Sequence, residues 1–459
     1  MSALRIVVLL TIVTAVLTWV IQWGILGVLF PQWGDGHGLL KGHDASGFNQ
    51  VAMAQAAMIA EQGWSAWQLR PNGWGVSGIL SAWYAMTWSS PAAFIPVQAL
   101  LYGLAGGCLF VIFRTITGQQ HLAVWGLLPL FFPTSAVIYA QPHRDIFIFF
   151  GFMLVLFAWL QWVLMITGCR SALFARWMAA GSALLIGYFA VWSVRPYAAE
   201  ILLVVNLILL ALASLVAGLR MMQRRQIDLP SVTAISGALI VILLTSQFAV
   251  TKSYDQIYVK QRVGAEQVAD IDHSAVTSKE VALSQQWQAS AWLPSKIDDQ
   301  FRRLSTARDS FAIENHFARS AIDLDRRFGN VGDIIAYTPR ALSIGFLAPF
   351  PSQWRPQPGA PTNRNVERVL VGVEMAFFYL LLPFLALAIY QWRRSTPLWF
   401  VLIPALAWLM VYSYTVPVVG ALVRYRFPAY MIILGLAIMM LITFISRRRI
   451  SADRVRRIP

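Results

Sequence analysis

Gly75-Val76-Ser77-Gly78-Ile79-Leu80-Ser81-Ala82-Trp83-Tyr84-Ala85-Met86-Thr87-Trp88 is the stretch on which the fold of this 459-residue chain turns. Whether it crosses a membrane decides the side on which every later segment lies. The apolar runs around it are each roughly 20 residues long, the length that crosses a ~30 Å hydrocarbon layer. Counted as a further crossing, it would place Arg170 with Arg176, Arg220 with Arg224 and Arg225, Arg393 with Arg394, and the tail Arg447 to Arg449 outside. That contradicts the bias that keeps basic residues of short loops in the cytoplasm. Left out, all of these clusters fall inside. At about 14 residues the stretch is also short for a span. Trp74, Trp83, Tyr84 and Trp88 suit the headgroup belt, so it reads as a helix lying in the outer interface.

Working outward, the first apolar run, about Ile6 to Phe30, follows a lone Arg5 and is too long for a signal-peptide core. It reads as a retained span with a cytoplasmic N-terminus. Further spans are expected near 92 to 113, 122 to 140, 146 to 167, 177 to 194, 198 to 217, 232 to 250, 369 to 390, 397 to 416 and 427 to 446. The expected fold is therefore an all-α polytopic membrane protein with about ten transmembrane helices. A seven-span module occupies residues 1–250, with a first outer loop over 31–91 that holds a second helix, Phe48 to Glu61. Residues 251–368, the only long polar stretch, carry most of the 21 Asp and Glu residues and predict a small helical outer domain between spans seven and eight. Residues 369–459 supply three C-terminal spans and a basic cytoplasmic tail.

Composition agrees: 58% of residues are hydrophobic and 12% charged. The net charge of +15 sits mostly in clusters at the ends of apolar runs, as topology signals rather than a nucleic-acid surface. Cys108 and Cys169 form neither a metal-ligand spacing nor a disulfide framework. No phosphate-binding Walker loop, dinucleotide fingerprint or Gly-x-Ser-x-Gly elbow is present, and the cytoplasmic loops are too short for a nucleotide.

Outside the long polar stretch, carboxylates are few. Asp228 and Asp453 fall with the cytoplasmic arginines; Asp35, Asp44, Glu61, Asp145, Glu200 and Glu374 fall at outer ends or outer loops. Asp44, in Gly36-His37-Gly38-Leu39-Leu40-Lys41-Gly42-His43-Asp44, reads either as a helix cap or as a base that deprotonates a hydroxyl. Asp145, in Gln141-Pro142-His143-Arg144-Asp145, reads either as a cap for the next span or as part of a site with His143 and Arg144. Arg144, Arg195, Arg424 and Arg426 stand in short outer connectors, where basic residues are disfavoured, and Arg340 and Arg355 flank the return of the long loop. Salt bridges are one explanation. The other is a phosphate-bearing ligand, because the guanidinium fork matches phosphate oxygens. His37 and His43 with Asp44 leave a divalent metal open, although the spacing is a weak pattern; no cofactor is required by the residues themselves.

This layout resembles the membrane-embedded GT-C glycosyltransferases, the group containing protein O-mannosyltransferases and the aminoarabinose transferases of lipid A. The resemblance covers roughly residues 1–250. It lies in the long first outer loop with His43-Asp44 soon after span one, the two interfacial helices in that loop, and Arg144-Asp145 in the next outer connector. It implies a polyprenyl-phosphate-linked sugar as donor, and a glycan, lipid or protein hydroxyl as acceptor. It further implies Asp44 as catalytic base, with Asp145 beside it. The donor phosphate would be held by outer arginines among Arg144, Arg195, Arg340, Arg424 and Arg426, with His43 and His143 nearby. The implied setting is the bacterial inner membrane, with the site facing the periplasm or exterior. Two rival functions share these features: a lipid-linked polysaccharide polymerase or ligase, in which arginines outweigh any single carboxylate, and a transporter or flippase, which would place charges near the midplane of spans.

Overall fold

The computed structural model describes residues 2–169, 171–249, 287–316 and 318–455. Arg170 and residues 251–286 of the expected outer domain lie outside the described residues. Among the described residues the chain is helical with no strand. Among the described residues nine helices are long and apolar enough to cross a membrane: Ala3–Leu29, Pro91–Thr117, Arg144–Ile166, Leu173–Val194, Pro196–Arg224, Leu229–Phe248, Thr362–Trp392, Thr396–Thr415 and Phe427–Arg447. The chain is an all-α polytopic membrane protein. It divides into two compact units, one made of Met1–Gly264, Leu380–Pro404 and Tyr430–Pro459, the other of Ala265–Tyr379 and Ala405–Ala429.

In the first unit, the uninterrupted span expected over 122 to 140 is broken. Its two pieces, Gln120–Phe131 and Pro133–Tyr139, are bent by 77°. Pro129 and Pro133 explain the break, since each removes an amide donor and a helix cannot continue through both. The carbonyls freed at such a break cost several kcal/mol each in lipid unless they are satisfied, and buried side chains satisfy them. Tyr102 Oη donates to the Leu130 carbonyl at 2.7 Å, and Ser135 Oγ to that of Pro129 at 2.7 Å. Thr18 Oγ1 and Gln98 Nε2 both donate to the Tyr139 carbonyl, at 3.1 and 2.7 Å, while Gln22 Nε2 reaches that of Ala140 at 2.8 Å. These bonds also fix topology. Gln22 lies near the end of the first span and Gln98 near the start of the helix Pro91–Thr117, so the bent pair returns the chain to the face that carries the loop between them.

Four helices give this unit its frame: α1 (Ala3–Trp19), which continues as a π-helix over Val20–Leu29; α4 (Pro91–Thr117); α7 (Arg144–Ile166); and α8 (Leu173–Val194). α7 is the central helix, packed along α8 and α4, while α1 lies along α4. The crossing of α7 and α8 is close because both helices place glycine at it: a Cβ on Gly187 would stand 2.7 Å from the Gly151 carbonyl. Small residues allow such approach where lipid supplies no hydrophobic drive between helices. α4 is well punctuated, with Ser90 capping its start, Pro91 in its first turn and Gly118 at φ 70° beyond its end.

Two helices of the loop after the first span lie against each other, α2 (Asp44–Gln62) and α3 (Gly75–Met86). α2 begins four residues earlier than expected, so Asp44 stands in its first turn. Ala45, Phe48, Asn49, Ala52, Gln55, Ala56 and Ile59 form its buried stripe at helical spacing. The seam with α3 is polar as well as apolar: Tyr84 Oη donates to Asn49 Oδ1 at 2.8 Å, Ser81 Oγ to Gln55 Oε1 at 2.6 Å and Ser77 Oγ to the Phe48 carbonyl at 3.0 Å. α3 has 12 residues, about 18 Å at 1.5 Å per residue, and both of its ends bond to α2. It is not among the helices long and apolar enough to cross a membrane.

The second unit holds the helices Ser295–Glu314 and Val331–Leu347. Its organising residue is Arg308, 1% exposed, which donates to the carbonyls of Tyr414, Asp323 and Arg326 at 2.9, 2.7 and 3.0 Å. The guanidinium also lies 5.2 Å from the Phe328 ring and 5.1 Å from that of Tyr337. A short antiparallel bridge joins Ala321 to Val418.

Candidate functional site

Two helix starts and one helix corner of the first unit meet at a cluster of charge. The loop before α2 is folded by Asp35, whose carboxylate accepts from the amides of His37 and Leu39 at 2.8 and 3.2 Å and from Ser46 Oγ at 2.8 Å. Gly38, at φ 81°, lets this loop close against Gln22. His43 is the N-cap residue of α2 and Asp44 its first residue. α7 begins in the same way: His143 is the N-cap, with Arg144 and Asp145 in the first turn. The macrodipole of each helix attracts a carboxylate at this end. Arg195 forms the corner between α8 and α9 (Pro196–Arg224).

Gln141 ties the two helix starts together. Its Oε1 accepts from the Leu40 amide at 3.0 Å while Gln22 holds the neighbouring Ala140 carbonyl. Asp44 and His143 are thereby brought to one place: Asp44 Oδ2 lies 3.6 Å from His143 Nε2 and 3.7 Å from an Arg144 terminal nitrogen. The other ring nitrogen, His143 Nδ1, lies 2.8 Å from Asp145 Oδ2, and Asp145 Oδ1 lies 3.2 Å from an Arg195 terminal nitrogen. Five side chains thus form a row, Arg195, Asp145, His143, Asp44 and Arg144. Burial divides it: Arg195, Asp145 and His143 side chains are 1, 3 and 4% exposed, whereas Asp44 is 41% and Arg144 23% exposed.

The accessible carboxylate is therefore Asp44. Asp145 is enclosed by Arg195 and His143 and acts in this arrangement through them. As the N-cap of α7, His143 accepts a hydrogen bond at Nδ1 from the Asp145 amide, at 3.3 Å. The other ring nitrogen, Nε2, faces Asp44. The Phe48 ring closes the apolar side, 5.6 Å from the imidazole and 5.4 Å from the Arg144 guanidinium.

Arg340, Arg424 and Arg426 belong to the second unit. Arg340 grips Asp323 with two bonds, at 2.9 and 3.1 Å. Arg426 is buried and donates to the Gly345 carbonyl at 2.7 Å, and Arg424 is half-buried in the last turn of Val419–Tyr425. His37 is exposed. Among the described residues no three His, Cys, Asp or Glu side chains converge as a metal-binding group.

The positioning residues Asp35, Gln22 and Gln141 were not singled out by sequence reasoning, and only Asp35 carried a signal, as an acid between glycines of the loop. Arg70 is a further one. Its guanidinium caps the end of α8, donating to the Trp192 and Ser193 carbonyls at 2.6 and 3.2 Å and lying 4.1 Å over the Trp192 ring. That fixes the approach to the Arg195 corner.

Comparison with protein-family models, with characterised proteins and with solved structures finds no match to this chain.

Proposed function

We propose that this protein is an integral-membrane glycosyltransferase that moves a sugar from a polyprenyl-phosphate donor to an acceptor hydroxyl at the outer face of a bacterial inner membrane. The observation that carries the reading is an accessible carboxylate, Asp44, beside the half-open cation Arg144 and in front of a buried His143–Asp145–Arg195 array. Orientation follows from charge. In the first unit Arg114, Arg176, Arg220, Arg224 and Arg225 stand at the helix ends opposite the Asp44 cluster, which the positive-inside bias assigns to the cytoplasm.

The chemistry asked of the site is a single displacement. Asp44 takes the proton of the acceptor hydroxyl, whose oxygen attacks the anomeric carbon as the bond from that carbon to the phosphate oxygen breaks. The electron pair leaves with the polyprenyl phosphate, and the sugar configuration inverts. Arg144 is the exposed guanidinium nearest to Asp44 and meets the charge that grows on the leaving phosphate. Arg195, engaged with Asp145, supports the array from behind. The acceptor is a hydroxyl of a glycan, lipid or protein.

Mass spectrometry of lipid extracted from the purified protein tests the donor class. A co-purified polyprenyl phosphate or its glycosylated form is expected, and its depletion in Arg144→Ala supports the assigned phosphate contact. A preparation that holds only bulk phospholipid under conditions that retain tightly bound lipid contradicts the reading.

A further inference from the structure

Trp74, Trp83, Tyr84 and Trp88 suit a headgroup belt by sequence, but the fold uses them differently. Tyr84 is 2% exposed and bonded to Asn49. Trp83 donates its indole N–H to the Ala93 carbonyl at 2.8 Å and meets the Phe94 ring edge-on. Trp74, the N-cap residue of α3, is turned toward the start of α2. Its six-membered ring lies 3.8 Å from where a Cβ on Gly47 would stand, and its centroid 5.3 Å from that of Phe48, edge to face. Asp44, Gly47 and Phe48 are spaced i, i+3 and i+4, so they share one face of α2, and both Asp44 and Phe48 meet His143. The indole therefore stands on the helix face that carries the accessible carboxylate, about one turn away.

We infer that Trp74 is a sugar-stacking platform and that the acceptor, within the proposed transfer on which this reading rests, is a saccharide whose hydroxyl Asp44 deprotonates. The acceptor classes left open above thereby narrow to one.

The indole is open to a ligand. It is 37% exposed, and among the described residues its N–H has no hydrogen-bond partner, whereas Trp67 and Trp83 spend theirs on the Gly78 and Ala93 carbonyls. It is also held in place. The turn before it carries Asn72 at φ 50° and Gly73 at φ 78°, Arg70 is anchored to the Trp192 and Ser193 carbonyls, and Gly75 packs on Ser193 with no room for a Cβ. A ring ordered before binding loses little freedom when a ligand stacks on it.

The setting selects a sugar. Phe48 stands between Trp74 and Arg144, whose guanidinium lies 5.4 Å from the Phe48 ring. The surface around Asp44 thus offers a cation on one side and an open indole on the other. The cation matches the donor phosphate. An indole presents a negative π-face and an N–H donor at its edge; a pyranose presents a flat face of C–H bonds rimmed by hydroxyls, which answers both. A lipid tail has no acceptor for the N–H, and a hydroxyl on an extended peptide has no comparable C–H face. Side chains three residues apart on a helix stand about 5–6 Å apart at Cβ, so one sugar ring on the indole brings a hydroxyl to Asp44.

Binding is tested without activity. In protein carrying 5-fluorotryptophan and held in nanodiscs, the ¹⁹F resonance that Trp74→Tyr removes is assigned to Trp74. It is expected to shift on addition of the methyl glycosides of glucose, galactose, mannose or N-acetylglucosamine, and to stay sharp beside phospholipid with a nitroxide on its headgroup. Failure of all four glycosides to shift it overturns the platform. Broadening by the nitroxide lipid without a sugar shift makes Trp74 a membrane-belt residue and overturns it equally.

Transfer from a polyprenyl-phosphate sugar to a saccharide supplies the second readout. Trp74→Leu should raise the acceptor KM about 2- to 13-fold, the range of a lost aromatic contact. The donor KM and kcat should stay near wild type, because a contact away from the reacting atoms stabilises ground and transition states alike. Trp74→Tyr should recover most of the loss. An unchanged acceptor KM in Trp74→Leu, or equal losses in the Leu and Tyr variants, overturns the platform. Transfer by the wild type to a lipid or protein hydroxyl but to no saccharide overturns the inference and leaves the transferase reading standing. A ¹⁹F response to glycosides with no transfer by the wild type overturns the transferase reading and leaves saccharide recognition at Trp74.

Discussion

Replacement of Arg195 by alanine separates a buried electrostatic array from a surface salt bridge. The side chain is 1% exposed and its partner Asp145 3%, with 3.2 Å between them. Truncation leaves the Asp145 carboxylate in a space that water does not reach, next to a histidine that can neutralise it only by holding a proton. Breaking one partner of a buried pair costs about 3–5 kcal/mol, a factor of about 10²–10³·⁵ in the folded-to-unfolded ratio at 1.4 kcal/mol per tenfold. By contrast, the exposed Asp44–Arg144 pair contributes about 0–1 kcal/mol. Equilibrium unfolding in mixed micelles, with Arg195→Ala, Asp145→Asn and the double variant, measures the difference. The double variant should be less destabilised than the sum of the singles, with a coupling of about 0.5–3 kcal/mol. An Arg195→Ala protein within about 1 kcal/mol of wild type, or strict additivity, refutes the claim that the two side chains form one buried unit.

Gly75→Ala should loosen the loop that carries the candidate site, because a Cβ at Gly75 would overlap the Ser193 carbonyl at the end of α8. Overpacking of this kind costs about 1–3 kcal/mol, and limited proteolysis within 63–74 should quicken; unchanged protection argues against the packing of α3 on α8. In the second unit, burial opposes ionisation of Asp323, but hydrogen bonds from Arg340 and Tyr337 and the Arg340 charge outweigh it and hold the carboxyl below its ordinary value. Its contribution to stability is therefore full above the ordinary Asp range and is lost as pH falls through the depressed native value. Asp323→Asn should flatten the acid limb of thermal stability and leave the alkaline side unchanged. Cysteines placed at positions 64 and 227 should be labelled from the outside and from the cytoplasm respectively; the reverse pattern removes the outward orientation of the Asp44 cluster.

Most spans were legible in the sequence as long apolar runs, several of them closed by arginine, and Gly75–Met86 was read as non-crossing from its shortness and the tryptophans in and beside it. The bend at Leu128–Pro133 was not read, although Pro129 and Pro133 signalled it. Hydropathy averages over a break whose freed carbonyls are satisfied by Ser135 and distant Tyr102, while Gln98, Thr18 and Gln22 hold the carbonyls at the end of the second piece. At the site, the scarcity of outer carboxylates pointed to Asp44 and Asp145, and the outlying arginines to Arg144 and Arg195. The division of labour between the two aspartates was not readable, because exposure is set by which helix ends converge. Nor could the sequence show that Arg195 answers Asp145, since the pair joins residues fifty positions apart through the packing of α7 on α8.

The central claim, that Asp44 is the base of a transfer from a polyprenyl-phosphate sugar, is tested most directly by turnover of purified protein in proteoliposomes. The assay supplies a labelled donor and a hydroxyl acceptor, and compares wild type with Asp44→Asn. The amide keeps the shape of the carboxylate but cannot accept the proton, so the variant should fold with wild-type stability while transfer falls by about 10²-fold or more. Near wild-type turnover in Asp44→Asn would contradict the account and favour an arginine-led polymerase or ligase.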